Sequence, residues 1–375
     1  MAIKEIQAKS ILRTHKKIDS WFLSRYGMNL YRGCTHNCVY CDGRAEKYYV
    51  DGEFGCDVTV KINAIDILCR EFDPKRKRVP LKRGYVMLGG GVGDSYQPVE
   101  QQYQLGRKTL ELLHERNFPV HILTKSTLVK RDIDILKKIN DQSRAIVSMS
   151  FSTVDDHISA LFEPGVPPPS QRLEILRFFK KEGIPIGIFL LPVIPYITDT
   201  PEMIEETVRS AHDIGVDFII FGGMTLKEGK QKNLFYESLG KKYPELIAAY
   251  HQIYKKDFWG QASSEYYASI QKTFNVIAKT YKIPKRIPPK LYSDILDEND
   301  RVVVILEHID YLLKSEGKPS NFGYAAFSIS AIKEPLSSMK QEIHHIKGVG
   351  PIIEKTIREI LETKTSSFYE KLLIG

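Results

Sequence analysis

Residues 33–42 read "GCTHNCVYCD" and place three of the chain's five cysteines close together. Cys34, Cys38 and Cys41 have the spacing C-x3-C-x2-C, and thiolates are soft ligands that suit zinc or iron–sulfur clusters. A structural zinc site closes with four protein ligands, whereas a [4Fe–4S] cluster held by three thiolates leaves one iron without a protein ligand. The spacing therefore favours an iron–sulfur centre with one open position.

Two other interpretations of the cysteines remain open. Zinc could take His36 as a fourth ligand, or the three cysteines could be unrelated core residues. The remaining cysteines, Cys56 and Cys69, lie within or beside a predicted helix, and we expect both to be core residues. Five cysteines in 375 residues do not form a disulfide framework, so we expect a reducing, cytoplasmic location.

Composition is that of an ordinary globular protein, with 42% hydrophobic and 27% charged residues. The charged amino-terminal segment does not resemble a secretory signal, and no apolar run reaches the ~18 residues of a membrane span. We therefore expect no membrane association. The net charge of +8 weakly favours a polyanionic partner.

Short apolar runs alternate with amphipathic ones between about residues 26 and 226. Several strand candidates are apolar at consecutive positions, a pattern typical of parallel strands that are buried on both faces. The alternation predicts an α/β fold with a partial (β/α)6 TIM-type barrel, whose active-site loops follow the strands. The predicted strands are 28–33, 84–90, 119–126, 145–153, 184–191 and 216–224. The predicted helices are 57–72, 99–116, 131–140, 170–182 and 201–214.

The organisation that follows from this alternation has four parts. We expect an N-terminal extension over residues 1–25 and the partial barrel over 26–230. A mainly helical extension should cover 231–334, in which "RVVVIL" at 301–306 is either a strand or the start of a helix. Residues 335–375 should form a small C-terminal helical hairpin module.

The cysteine motif at the head of such a barrel, with Tyr40 before its last cysteine, resembles the radical S-adenosylmethionine (radical SAM) superfamily. The resemblance implies a [4Fe–4S] cluster and S-adenosyl-L-methionine (SAM), whose amino and carboxylate groups bind the open iron. It also implies an external one-electron reductant such as flavodoxin or ferredoxin, and cleavage of SAM to a 5′-deoxyadenosyl radical.

Motifs across residues 25–225, among them "LGGGVGDSYQPVE", "ILTKSTLVKRDIDIL" and "SMSFSTVDD", resemble the spore photoproduct lyase-like (DNA repair photolyase-like) branch. By this resemblance, Gly89, Gly90 and Gly91 meet the SAM amino group, and Lys125 pairs with its carboxylate. Ser152 or Ser150 lies near the ribose and methionyl groups, and Tyr40 offers its backbone to the adenine.

The sequence departs from this branch at two positions. The stretch "GGGVGD" has no cysteine where the lyase carries its hydrogen-donor cysteine, and Asp42 stands where the lyase has a tyrosine. Both departures argue against the lyase reaction itself. The catalytic residue stays unknown, and the candidates are Asp42, Asp94, Tyr96 and Cys56, with Asp94 and Tyr96 expected to face the cavity.

The C-terminal stretch "PLSSMKQEIHHIKGVGPIIEKTIREILET" predicts two short amphipathic helices joined by residues 347–350. It resembles the helix-hairpin-helix motif, which implies that backbone amides of the hairpin hold a DNA phosphate. The predicted contacts are Lys347, Gly348, Val349, Gly350 and Lys355. A plain two-helix hairpin for packing or dimerisation is the alternative.

Together these patterns predict a radical SAM enzyme that acts on DNA, with damaged DNA as one such substrate, as a monomer or weak dimer. One alternative is a radical SAM enzyme with an RNA, peptide or small-molecule substrate. A second is a non-catalytic iron–sulfur protein that binds nucleic acid.

Overall fold

A computed structural model describes residues 2–46, 48, 50, 52–76, 79–89, 92–255 and 258–374. Within these residues the strands are β1 Ile3–Ile6, β2 Leu12–Asp19, β3 Ser24–Met28, β4 Tyr31–Arg32, β5 Val58–Lys61, β6 Tyr85–Gly89, β7 Val120–Thr124, β8 Ala145–Phe151, β9 Ile186–Val193 and β10 Phe218–Gly223. The helices are α1 Ala64–Glu71, α2 Glu100–Tyr103, α3 Leu105–Glu115, α4 Ile133–Gln142, α5 Asp156–Phe162, α6 Pro169–Lys181, α7 Pro201–Ile214, α8 Lys230–Lys242, α9 Ile247–Ile253, α10 Ser264–Thr280, α11 Glu298–Ser315, α12 Phe322–Ser330, α13 Pro351–Thr363 and α14 Ser367–Ile374.

The main sheet is a curled half-barrel with the strand order β10-β9-β8-β7-β6-β3-β2. Six of its strands, β3 and β6 to β10, run parallel, and β2 pairs antiparallel with β3 at one edge. Every residue of β7 is buried, because helices cover the outer face and side chains fill the inner face. This architecture confirms the predicted partial TIM-type barrel.

Two elements near the start of the barrel differ from the prediction. The first barrel strand is β3, whereas residues 31–32 belong to a separate small sheet with the order β1-β5-β4. The sequence of β3, "SRYGM", buries alternate residues and lacks a continuous apolar run. Residue 26, the expected start of the barrel, lies inside this strand. The helix predicted over 57–72 begins only at Ala64, since Val58, Thr59 and Val60 are β-branched and form β5.

The "RVVVIL" stretch lies in α11, where residues 301–306 are all buried. A helix that is apolar on consecutive positions must be covered on most sides, and α11 packs against β2, α12, α13 and α14. Its core also includes Tyr85 and Phe218, which begin their barrel strands. Helix α11 therefore closes the barrel at the amino ends of the strands.

Residues 335–374 pack into this same core through Leu336, Ile343, Val349, Ile357 and Tyr369. The first predicted helix of this segment is wrong: two 3₁₀ turns, Leu336–Met339 and Ile343–His345, take its place. Side chains of α11 accept hydrogen bonds from the amides of residues 336 and 337 and fix these turns from outside. The second predicted helix is confirmed as α13.

Within the described residues, no helix combines the length and the apolar content that crossing a membrane requires.

Candidate functional site

A cavity of about 270 Å³ lies at the carboxyl ends of the parallel strands. This is the end where parallel α/β barrels carry their active sites. Its lining joins the three clustered cysteines to polar and apolar residues that follow the strands. The lining residues are Phe22, Cys34, His36, Cys38, Tyr40, Cys41, Asp42, Val92, Gly93, Asp94, Leu123, Thr124, Lys125, Ser150, Leu191, Pro192, Gly223, Met224 and Thr225.

The thiols of Cys34, Cys38 and Cys41 are free and face this one cavity. Burial is the main cause that raises the pKa of each thiol, and it raises the pKa of Cys34 to about 12, with help from the charge of Asp94. Thiolates therefore form here only when a metal cation compensates their charge. The three thiols therefore fit a metal centre, and binding of the metal would release their protons.

A zinc site that uses His36 does not fit the geometry. The Nε2 atom of His36 lies 3.0 Å from an Asp94 oxygen and its Nδ1 atom 3.1 Å from the Gly165 carbonyl oxygen. Both ring nitrogens are thus engaged. Among the described residues, no three His, Cys, Asp or Glu side chains converge where a single ion could sit. An iron–sulfur cluster binds each cysteine through a different iron, so it requires three thiols around one space.

Asp94 is a buried anchor between the cluster loop and β7. Its carboxylate accepts hydrogen bonds from His36, the Thr124 hydroxyl, and the amides of Lys125 and Tyr96. Burial alone would raise the pKa of Asp94, but these hydrogen bonds and the nearby imidazole lower it. The carboxylate therefore remains ionised and holds the loop in place.

Glu163 is a second buried carboxylate, and it contacts several of the predicted SAM ligands. Its oxygens accept hydrogen bonds from Lys125 Nζ at 2.9 Å, Ser152 Oγ at 3.0 Å and the Tyr40 hydroxyl. Arg172 Nη2 donates to it at 2.7 Å. Burial opposes ionisation, but the charges of Arg172 and Lys125 hold the pKa of Glu163 well below its usual range.

The predicted SAM ligands are only partly brought together. Tyr40, Lys125 and Ser150 line the cavity, and Lys125 Nζ lies 5.8 Å from the centre of the Tyr40 ring. Ser152 is fully buried and is not among the described lining residues. Its contact with Glu163 directs the hydroxyl into the wall. Ser150 lines the cavity, and its hydroxyl donates to the Leu191 carbonyl oxygen at 3.0 Å.

Of the three glycines predicted to meet the SAM amino group, only Gly89, the last residue of β6, is described. It has φ +88°, and a Cβ atom there would lie 2.0 Å from the Leu123 carbonyl oxygen, so only glycine allows β6 and β7 to approach this closely. Gly89 is not among the described cavity-lining residues. Gly90 and Gly91 lie outside the described residues.

The four catalytic candidates separate into two groups. Asp42 and Asp94 line the cavity, whereas neither Tyr96 nor Cys56 is among the described residues that do so. Tyr96 is wholly buried in the hydrophobic core, so the expectation that it faces the cavity is wrong. Cys56 is half-buried. The expected core position of Cys69 is also wrong, because this side chain is exposed on α1.

Sequence reasoning missed Glu163, Arg172 and Lys227. The first two lie in a loop and a helix that follow β8, and only the folded chain brings them to Lys125. Lys227 follows β10 and forms an ion pair with Asp42, while Thr225 Oγ1 lies 3.4 Å from the same carboxylate. The sequence signal that could have identified Lys227 is its position among the charged residues that follow a predicted strand.

The C-terminal hairpin has some features of a phosphate site. Gly348 has φ +89°. Gly350 is the N-cap residue of α13, and among the described residues no side chain caps the backbone amides of the first turn of this helix. Lys347 and Lys355 are exposed. The amide of Val349 is occupied, since it donates to the Ile346 carbonyl oxygen. The hairpin belongs to the core at the amino ends of the strands, so it lies at the opposite end of the barrel from the cavity.

Comparisons with known proteins agree with this geometry. Residues 28–200 match the family model of the Radical SAM superfamily. An uncharacterized protein of Mycobacterium tuberculosis is 30% identical over 236 residues, which cover 62% of this chain and 68% of the relative. An uncharacterized protein of Methanocaldococcus jannaschii is 30% identical over 223 residues, covering 59% of this chain and 78% of the relative.

Two solved structures are similar in fold. A mutant of spore photoproduct lyase superposes with a TM-score of 0.56 at 16% identity, over 74% of this chain and 79% of the lyase chain. A second mutant, with bound AdoMet and dinucleoside spore photoproduct, gives a TM-score of 0.53 at 15% identity over the same shares. At these identities the likeness concerns the fold.

Proposed function

The chain belongs to the radical SAM superfamily and is a radical SAM enzyme, and on this premise we propose that its substrate is DNA, with a damaged nucleotide as the target. Its cofactors are a [4Fe–4S] cluster and SAM. The observation that carries the chemistry is the convergence of three free thiols on one cavity at the carboxyl ends of the strands.

The residues of the cavity fit these cofactors. Cys34, Cys38 and Cys41 would hold the cluster, and Lys125 is the cation in the wall for the SAM carboxylate. Tyr40, Ser150 and the glycines from Gly89 to Gly91 are the further proposed SAM contacts. When bound, the two cofactors supply a 5′-deoxyadenosyl radical that takes a hydrogen atom from the substrate.

The chain's own residues prepare the site for this chemistry. Asp94 holds His36 and so fixes the loop between the first two cluster cysteines. Leu123, Leu191 and Met224 make part of the wall apolar, which limits the access of water to a reactive species. Asp42, which contacts Lys227 and Thr225, gives the wall a polar group for the substrate.

Three observations support DNA as the substrate. The fold is similar to that of a lyase solved with a dinucleoside spore photoproduct. The net charge is +8. The hairpin offers Lys347, the backbone of residues 348–350 and Lys355 to a phosphate. Because "GGGVGD" lacks the donor cysteine, we propose a reaction other than that of the lyase.

The position of the hairpin favours a second candidate, a radical SAM enzyme whose substrate is an RNA, a peptide or a small molecule. A phosphate held at the amino ends of the strands does not place a nucleotide at the cavity. In this second function, the hairpin only closes the barrel.

We further propose a one-electron reductant such as flavodoxin or ferredoxin and a monomeric or weakly dimeric enzyme. We also propose that the protein works in a reducing cytoplasm, in keeping with its five free thiols.

One experiment separates these functions. The protein is reconstituted with iron and sulfide without oxygen, reduced and given SAM, and 5′-deoxyadenosine is measured without DNA and with intact, UV-irradiated or oxidised duplex. We expect damaged DNA to increase the yield and to be altered itself. Unchanged DNA in every mixture, with 5′-deoxyadenosine still formed, would leave the second candidate. Absence of 5′-deoxyadenosine under all conditions would contradict the proposed chemistry.

The hairpin is tested separately by binding of undamaged duplex DNA. The double variant Lys347→Ala/Lys355→Ala should bind the duplex more weakly and with a smaller dependence on salt, since it has lost two phosphate-facing cations. Lys241→Ala/Lys242→Ala, on α8, is the matched control for loss of charge. Equal weakening in both double variants would assign DNA binding to net charge alone.

A further inference from the structure

Glu163 is the most extensively hydrogen-bonded carboxylate next to the cavity, and it does not itself belong to the described lining. Its side chain has no exposed surface. One oxygen accepts from Lys125, Tyr40 and Ser152, and the other accepts from Arg172 and from Ser159 at 3.1 Å. Of these donors, Lys125 and Tyr40 also line the cavity, and Lys125 is the cation of the two.

Arg172 donates to the Glu163 oxygen that does not accept from Lys125. Its side chain is also fully buried, and its guanidinium lies 4.7 Å from the centre of the Phe151 ring. A second nitrogen of Arg172 donates to the carbonyl oxygen of Ser150. The arginine is thus fixed by β8 and cannot move without disturbing the sheet, so it fixes Glu163 in turn.

We infer that Glu163 is a positioning residue that holds the Lys125 ammonium group at the cavity wall for the carboxylate of SAM. This inference rests on the proposed role of Lys125 toward SAM. A free lysine side chain has considerable rotamer entropy, part of which is lost when a ligand immobilises it. Because Glu163 already holds Lys125, this loss does not occur when SAM binds.

The three side chains also set the charge of the wall. Lys125 and Arg172 are cations and Glu163 is an anion, so together they carry one net positive charge, which matches one carboxylate. Glu163→Gln would leave two cations in a buried space with no anion between them. Their repulsion and the cost of burying an unpaired charge would drive Lys125 out toward solvent.

The test is a double-mutant cycle on SAM binding to the reconstituted enzyme, with the dissociation constant measured by equilibrium dialysis. Glu163→Gln should weaken SAM binding by about tenfold or more in the presence of Lys125, as expected for loss of a charge-assisted contact. In a Lys125→Met background the same change should alter the constant by less than about twofold. Glu182→Gln, which makes the same change in an ion pair with Lys137, is the matched control and should leave SAM affinity unchanged.

Two outcomes would overturn the inference. The first is that Glu163→Gln does not weaken SAM binding. The second is that it weakens SAM binding equally with Lys125 and with Lys125→Met, which is expected of a purely structural role. Iron content per protein is measured in every variant, because Tyr40 also contacts Glu163. If Glu163→Gln does not fold or hold iron, Glu163→Asp keeps the charge and is carried through the same cycle, with a smaller loss expected. Unchanged SAM affinity in Lys125→Met alone would instead refute the proposed role of Lys125.

Discussion

Lys227 donates to the carboxylate of Asp42 and so joins the residue after the last cluster cysteine to the loop that follows β10. Asp42 lines the cavity, and its side chain is 38% exposed. The pair therefore ties two loops together at the site while one partner stays in contact with solvent.

We predict that Lys227→Met lowers the free energy of unfolding by no more than about 1 kcal/mol, because water screens an ion pair with an exposed partner. Urea denaturation measures the change. Lys241→Met, which removes an exposed ion pair with Glu237 on α8, is the control and should have a similarly small effect. A loss several times larger for Lys227→Met would mean that this pair is effectively desolvated.

Cys34→Ala should abolish cluster binding and with it the formation of 5′-deoxyadenosine. The reason is that two thiolates cannot replace three as ligands to the cluster. Cys69→Ala is the matched control, since this thiol is exposed on α1 and is not among the described residues that line the cavity. Iron and sulfide content per protein, with the visible absorbance of the cluster, measure the result. A cluster of full occupancy in Cys34→Ala would exclude this cysteine as a ligand.

The stability of the protein should fall as the pH drops from 7.5 to 5.5, in part because of His308. Burial is the main cause that lowers the pKa of His308 to about 3, with Arg286 contributing. The unfolded chain, with a pKa near 6.5, binds a proton in this range while the folded chain does not. Protonation therefore favours the unfolded state by about 1.4 kcal/mol per pH unit below 6.5.

The variant His308→Gln isolates this contribution. Between pH 7.5 and 5.5 it should lose about 1.4 kcal/mol less stability than the parent, as measured by urea denaturation at both values. His212→Gln, at an exposed position on α7, is the control and should keep the parent's pH dependence. Identical pH dependence in all three proteins would contradict a neutral, buried His308.

The parallel strands could be predicted because the apolar pattern that marks them lies within each strand's own sequence. Strands β9 and β10 are apolar at consecutive positions, a pattern that indicates burial on both faces. The first barrel strand gives no such signal, since Ser24 and Arg25 are polar and the strand lies near the edge of the sheet. Its place is set by pairing with β6 and β2, which depends on the whole fold.

The candidate site was predictable to the same extent. The cysteine spacing and the position of Lys125 after a strand are local features, and both lead to the cavity. The contact between Lys125 and Glu163 joins residues on different β/α units, and no spacing in the sequence encodes it. The same holds for Ser152, whose hydroxyl contacts Glu163 after α5, whereas Ser150 lines the cavity.

Gly348→Ala should destabilise the protein, while Gly350→Ala should not. Gly348 has φ +89°, and its Cβ would lie 2.5 Å from the Tyr324 ring. We expect a loss of about 1–2 kcal/mol for the left-handed backbone, plus the cost of moving the ring. Gly350 has φ −98° and no neighbour within 4 Å, so its substitution should stay within about 0.5 kcal/mol. Equal losses would mean that residues 347–350 adopt another backbone conformation.

Gly165→Ala should impair cluster binding although residue 165 is not among the described cavity-lining residues. A Cβ atom at this position would lie 2.4 Å from the carbonyl oxygen of Thr35 and 2.9 Å from that of His36. The Gly165 amide donates to that His36 oxygen, so the two chain segments cannot separate without losing this hydrogen bond. The strain falls on the loop between Cys34 and Cys38. We expect a loss of about 1–3 kcal/mol in the free energy of unfolding and a lower iron content per protein.

The matched control is Gly240→Ala, in α8, where a Cβ atom has no neighbour within 4 Å. Alanine in this exposed helical position should raise the free energy of unfolding by about 0.5–1 kcal/mol and leave the iron content unchanged. Measuring both quantities in both variants separates a general effect of losing a glycine from displacement of the cluster loop. Full iron content in Gly165→Ala, together with parent-like stability, would mean that the loop accommodates the methyl group, and that close packing against residue 165 does not hold the cysteines in place.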